Sequence, residues 1–151
     1  MIARGMFHLA QSTAQGEINE YHLEAAIAAC HASAKDYAAT DWRRILELYD
    51  LLTQFDHSPV AALNRAVALA EVRGPQAGIE AVNAIPDLRA LQGYYLFHAV
   101  LGQFELRLGD LEAAATHFGN ALRLAELKSE QAFLAQKVAA CRAQIEQQKK
   151  V

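Results

Sequence analysis

Apolar residues recur at helical spacing along almost the whole chain, and sustained period-two alternation is absent. Ile2, Met6, Leu9 and Ala10 share one face and predict a first helix to about Ser12, before a break at Gly16 and Asn19. Leu23, Ile27 and Cys30, with Ala26 and Ala29 beside them, make the stripe of a second helix that ends in a loop around Tyr37-Ala38-Ala39. Thr40 is a suitable cap for a third helix, and Asp41 suits its first turn. Trp42, Ile45, Leu46, Tyr49 and Leu52 form that helix's buried face, and Asp56-His57 ends it.

Ser58-Pro59 is a cap followed by proline at the first helical position, which opens a fourth helix running to Arg73. This helix is apolar on most of its circumference. Val60, Leu63, Val67 and Ala70 cover one side, and Ala62, Ala66, Leu69 and Val72 another. Asn64, Arg65 and Glu71 remain as a narrow polar stripe. Such a helix is expected between neighbours. Gly74-Pro75 opens a short fifth helix with Ile79, Val82 and Ile85, closed by Pro86-Asp87. The run Gly74-Pro75-Gln76-Ala77-Gly78 reads as a tight inter-helix turn. A sixth helix is predicted from about Leu88 or Leu91 to Leu108 and a seventh from Asp110 to Ala125. An eighth, capped by Ser129, turns Phe133, Leu134, Val138, Cys141 and Ile145 inward.

Spacing within the later part is more specific. Gly102, the turn Gly109-Asp110, then Ala114, Phe118 and Ala121 reproduce the small-and-aromatic pattern of a tetratricopeptide-type helical hairpin. Small residues let antiparallel helices approach, and the aromatic fills the groove between hairpins. Gly74 and Gly109 occupy matching turns, thirty-five positions apart, near the repeat length of about 34 residues. The expected fold is all-α: an irregular array of about eight helices stacked as antiparallel pairs, in one domain over residues 1–151, with a C-terminal capping helix.

Composition narrows the function. The chain has 151 residues, 53% of them hydrophobic, and a formal charge of −3, so it lacks the basic face that grips a phosphate backbone. No run approaches a membrane span, and the start lacks the apolar core of a signal peptide, so a cytoplasmic location is expected. Cys30 and Cys141 read as buried, reduced thiols. Six histidines invite a metal site, but no CxxC, HxxxH or HExxH occurs, and adjacent Cys30 and His31 point about 100° apart on a helix. His98 and Glu105, two turns apart on one helix face, suggest a hydrogen bond at the surface or between helices. No nucleophile elbow, phosphate loop or dinucleotide fingerprint is present; neither a catalytic residue nor a cofactor is expected. Trp42 reads as a packing anchor.

If the first helix of each hairpin lines an inner groove, the sixth helix contributes Leu96, Ala99, Gln103, Leu106 and Arg107, and the fourth contributes Asn64, Arg65 and Glu71. Asn64, Arg65, Glu71, Gln103 and Arg107 are the candidate partner-binding residues. An ordinary solvated stripe accounts for them equally well. Internal pairing of Arg65 with Glu47, Glu71 or another acid is the alternative to a docking role.

Several longer words of the sequence are family-specific. Ala25-Ala26-Ile27-Ala28-Ala29-Cys30-His31-Ala32, Thr40-Asp41-Trp42, Leu48-Tyr49-Asp50 and Ser58-Pro59-Val60 occur in order. They are followed by Leu63-Asn64-Arg65-Ala66-Val67-Ala68 and Ala70-Glu71-Val72-Arg73-Gly74-Pro75-Gln76-Ala77-Gly78. With Leu108-Gly109, Glu112-Ala113-Ala114 and Ser129-Glu130-Gln131-Ala132-Phe133-Leu134, this resembles the C-terminal extension of bacterial extracytoplasmic-function RNA polymerase sigma factors that carry a tetratricopeptide repeat domain. The stretch Tyr94-Tyr95-Leu96-Phe97-His98 with Gly102-Gln103-Phe104 departs from that family, whose members often carry more alanine and arginine there.

The resemblance implies an interaction and regulatory module in transcription initiation. Its partners would be its own sigma-factor domains, the polymerase core, or a small protein or peptide. The promoter-reading domains are not found in these residues, so the chain is expected to be an excised fragment, with a stand-alone gene as the alternative, and to lack direct nucleic-acid binding. Ile2 and Met6 are apolar positions available for a dimer contact or for docking those domains. Two other readings remain: a helical-repeat scaffold unconnected to transcription, and a small-molecule sensor or enzyme using the inner groove.

Overall fold

The computed structural model describes residues 20–35 and 37–150; the helix predicted over Ile2–Ser12 lies outside the described residues. Seven α-helices occur among the described residues: α1 (Glu20–Ser33), α2 (Trp42–Phe55), α3 (Pro59–Arg73), α4 (Pro75–Asn83), α5 (Tyr95–Leu108), α6 (Leu111–Leu124) and α7 (Lys128–Lys149). Short 3-10 turns at Tyr37–Ala39 and Leu88–Leu91 fill two connections, and no strand is present among these residues. Each helix packs on the next in sequence, so α1/α2, α3/α4 and α5/α6 are pairs and α7 covers the last one. The protein is an all-α helical array.

Local chemistry sets most boundaries. Ser58 Oγ accepts from Ala61 N–H at 3.2 Å, and Pro59 sits where a missing N–H costs nothing. Asp110 Oδ1 accepts from Ala113 N–H at 3.1 Å and starts α6. Gly74 (φ 99°) and Gly109 (φ 85°) end α3 and α5 in conformations that a Cβ disfavours, so the two matched turns share one backbone requirement.

Four expectations are corrected. Asp41, not Thr40, caps α2, its carboxylate accepting from Arg44 N–H at 3.2 Å. Gly74 alone makes the turn before α4, whereas Gly78 lies within that helix. α5 begins at Tyr95, later than predicted, because Leu88–Leu91 forms a separate 3-10 turn. α7 starts at Lys128, ahead of Ser129: Glu130 reaches back to accept from Leu127 N–H at 3.3 Å, and Gln131 Nε2 donates to Ala125 C=O at 2.9 Å.

Three apolar cores follow one another along the array. The first joins Leu23, Ile27 and Cys30 of α1 to Ile45, Leu48 and Leu52 of α2, with Ala68 of α3. Trp42 packs on this core as an anchor, edge-on to His31 with ring centroids 5.5 Å apart. The second joins Leu63, Ala66 and Ala70 of α3 to Val82 of α4 and to Leu91, Phe97, Leu101 and Phe104. The third joins Ala114, Phe118 and Ala121 of α6 to Leu134, Val138 and Cys141 of α7. Both cysteines are free and buried. Stability is therefore a chain of neighbour interfaces rather than one central core.

Glycines let the helices meet. A Cβ on Gly102 would stand 2.9 Å from the Phe118 ring, and one on Gly78 would stand 2.8 Å from both Ala70 Cβ and the Phe104 ring. Each aromatic ring thus lies against a glycine of a neighbouring helix. This repeated device explains why the same residue types recur in both hairpins.

Candidate functional site

The first helices of the pairs, α1, α3 and α5, together with α7, present one face bearing three clefts. On α3 the lining positions include Val60, Asn64, Val67 and Glu71, with Ala61 beside them; on α5 they include Leu96, Val100, Gln103 and Arg107, with Tyr95, Ala99 and Phe104 beside them. Both sets run at i, i+4, i+7 and i+11, which is one strip of an α-helix. The clefts therefore open on a common groove.

A cleft of about 390 Å³ lies between α1, α2 and α3, with Glu24, His31, Tyr49, Asp56 and Asn64 around an apolar floor that includes Ile27 and Leu52. Burial, and secondarily the Glu24 carboxylate, push the Tyr49 hydroxyl up, so it stays protonated. Asp56 Oδ1 accepts from Ser58 N–H at 2.9 Å.

A second cleft of about 450 Å³ lies between α3 and α5, lined by Val67, Glu71, Val100, Gln103, Phe104 and Arg107. Arg107 Nη1 donates to Glu71 Oε1 at 3.3 Å across it. A third, about 300 Å³, lies between α5 and α7 and is mostly apolar, with Tyr95, Leu96, Ala99, Phe133 and Leu134. The Tyr95 hydroxyl donates to Glu130, which pushes its pKa up to about 12.

The five candidate residues separate accordingly. Glu71, Gln103 and Arg107 come together in the α3–α5 cleft, and Asn64 lines the α1–α3 cleft. Arg65 lines neither. Successive helical residues diverge by about 100°, and Arg65 turns toward α2, where Nε donates to Asp50 Oδ1 at 2.6 Å. Its partner is neither Glu47, which pairs with Arg44 at 2.7 Å, nor Glu71. Leu106, read as a groove residue, packs on the third core instead. His98 Nε2 meets Gln92 C=O at 2.8 Å, a hydrogen bond to the segment before α5, while burial and the neighbouring Asp110 push the Glu105 carboxyl up.

Glu24, Tyr49 and Asp56 were not legible as groove residues, because α1, α2 and the α2–α3 turn meet only in three dimensions. Val60 and Val67 were accessible to inference, since they lie four before and three after Asn64. Among the described residues no group of three or more His, Cys, Asp or Glu is placed to hold a metal ion, and no helix is long and apolar enough to cross a membrane.

A helical array with a mixed apolar and polar groove, and no concentrated set of reactive groups among the described residues, is the class of molecule that these features define. The chain is 40% identical over 114 residues to an uncharacterized protein of Rhizobium meliloti; the match covers 76% of this chain and 26% of that protein. The chain thus spans about a quarter of its relative's length. No protein-family model and no solved structure matches the chain.

Proposed function

We propose that the chain is a protein-interaction module acting in transcription initiation, the helical-repeat extension of an extracytoplasmic-function sigma factor. The observation that carries this reading is the run Leu63–Gly78. Its sigma-factor-like words coincide with α3, the turn at Gly74 and the start of α4, the stretch that faces the groove on one side and the second core on the other. A relative in which the matched segment occupies about a quarter of the length supports a module carried by a larger chain. The groove supports binding rather than catalysis, because its charged residues are distributed among three clefts instead of converging on one reacting centre.

The test is association of the purified chain with core RNA polymerase and with the promoter-reading domains of an extracytoplasmic-function sigma factor. Co-elution in size-exclusion chromatography, weakened by Gln103→Ala with Arg107→Ala, is expected. An absence of association with both would remove transcription from the reading and leave a scaffold of another process.

A further inference from the structure

The three clefts differ in chemistry in an ordered way. In the α1–α3 cleft Glu24 and Asp56 carry the fixed charge, and no lysine or arginine among the described residues lines it. Glu24 makes no ion pair among the described residues, and Asp56 uses one oxygen on Ser58 N–H while the other remains available. The floor of Ile27, Leu52 and Ala61 suits the methylene stem of a long basic side chain. In the α3–α5 cleft Glu71 and Arg107 neutralise one another, so this part asks for no charge. Gln103 there offers both an amide donor and an acceptor, suited to a peptide backbone. In the α5–α7 cleft Leu96 and Phe133 are 38% and 56% exposed, large apolar groups left uncovered at a concave site. Glu130 is already satisfied by Leu127 N–H and the Tyr95 hydroxyl.

The first and third clefts both involve the N-terminal halves of α3 and α5, two helix layers apart. An extended chain rises by roughly 3.3–3.6 Å per residue, so a run of several residues reaches from one cleft to the other.

We infer that the groove receives an extended segment of a partner protein bearing a basic side chain for the Glu24–Asp56 cleft and, several residues away, a large apolar side chain for the Leu96–Phe133 cleft. This rests on the interaction-module reading and specifies its partner. Charge complementarity selects the basic end, because a carboxylate or phosphate would meet two uncompensated acids. An arginine there forms two-point hydrogen bonds with a carboxylate.

The probes are capped, fluorescein-labelled peptides of Gly, Ser and Ala that carry one Arg and one Leu separated by three to nine positions, read by anisotropy against the full chain. Binding is expected to peak at one spacing within this series and to fall on either side of it. Citrulline in place of Arg, which removes the charge and keeps the shape, should weaken it about tenfold, as should Glu24→Gln. Phe133→Ala should weaken binding while abolishing the advantage of Leu over Ala in the peptide. Both residues are exposed, and circular dichroism verifies that the variants fold.

Equal affinity for the citrulline peptide, or indifference to spacing, would overturn the proposal. So would self-association of the chain that Phe133→Ala abolishes, which assigns the groove to a second copy. If no peptide binds while polymerase or sigma domains still co-elute, this inference fails and the interaction-module reading stands.

Discussion

Gly102 and Gly119 lie on the paired helices α5 and α6 in opposite surroundings. A side chain at Gly102 enters the Phe118 ring, which is 1% exposed and cannot withdraw, whereas nothing lies within 4 Å of a Cβ at Gly119. Gly102→Leu is therefore expected to destabilise by about 1–3 kcal/mol through overpacking. Gly119→Ala should stabilise by roughly 0.5–1 kcal/mol, because it removes a glycine's backbone entropy from a helix interior. Thermal melts of the two variants check both signs. Glu105 gives a pH prediction. Burial first, then the neighbouring Asp110 charge and their shared hydrogen bond, push its carboxyl up. A raised acid favours the protonated folded state. Its contribution is complete below its ordinary value of 4.5 and is lost as pH rises through the raised value. Glu105→Gln should flatten that fall, so the variant gains on the wild type as pH goes from 4 toward 7 in denaturant titrations, roughly following the titration of one group. At this scale the candidate site was half legible. Asn64, Glu71, Gln103 and Arg107 follow from helical spacing, but the Asp50 that claims Arg65 sits fifteen residues away on another helix, beyond any local signal.

Helix boundaries were legible wherever a side chain adjacent in sequence creates them. α3 runs from Pro59 to Arg73 as read, because Ser58, Pro59 and Gly74 act on their own immediate backbone. The start of α5 was not legible: Tyr94 offers no side-chain cap, and the buried position of Leu91 in the second core, a tertiary contact, holds the preceding 3-10 turn. The start of α7 likewise depends on Glu130 and Gln131 folding back. Elements also differ in what their loss would cost. α7 supplies Leu134, Val138 and Cys141 as the cover for Ala114, Phe118 and Ala121. Leu134 is 1% exposed, so Leu134→Ala is expected to cost about 2–5 kcal/mol, read by urea unfolding. In an array of neighbour interfaces that loss should loosen α6 and α7 before α1 and α2. Hydrogen exchange that protects all seven helices equally in the variant would contradict a neighbour-coupled array.

For the molecule as a whole, charge bears on whether the proposed role in transcription would be direct or indirect. The formal charge is −3, and the paired basic residues are Arg43-Arg44 and Lys149-Lys150. Arg44, Arg65, Arg107 and Lys149 are each committed to a carboxylate of Glu47, Asp50, Glu71 and Glu146. These ion pairs reduce the field that attracts a phosphate backbone, and the groove adds Glu24 and Asp56 with the same sign as DNA. Specific binders often neutralise roughly 6–10 phosphates, which takes a concentrated basic face that a chain with more acids than bases is poorly placed to offer. The isolated chain is therefore expected not to shift promoter DNA at physiological salt, and to show no steep gain in affinity as salt is lowered. Gel-shift titrations from 50 to 200 mM salt on the order used for such binders check this. Tight, strongly salt-dependent binding would restore a direct nucleic-acid role and displace the groove from the centre of the mechanism. Its absence routes any effect on initiation through protein contacts, where an acidic cleft and an apolar cleft on one face have a partner to recognise.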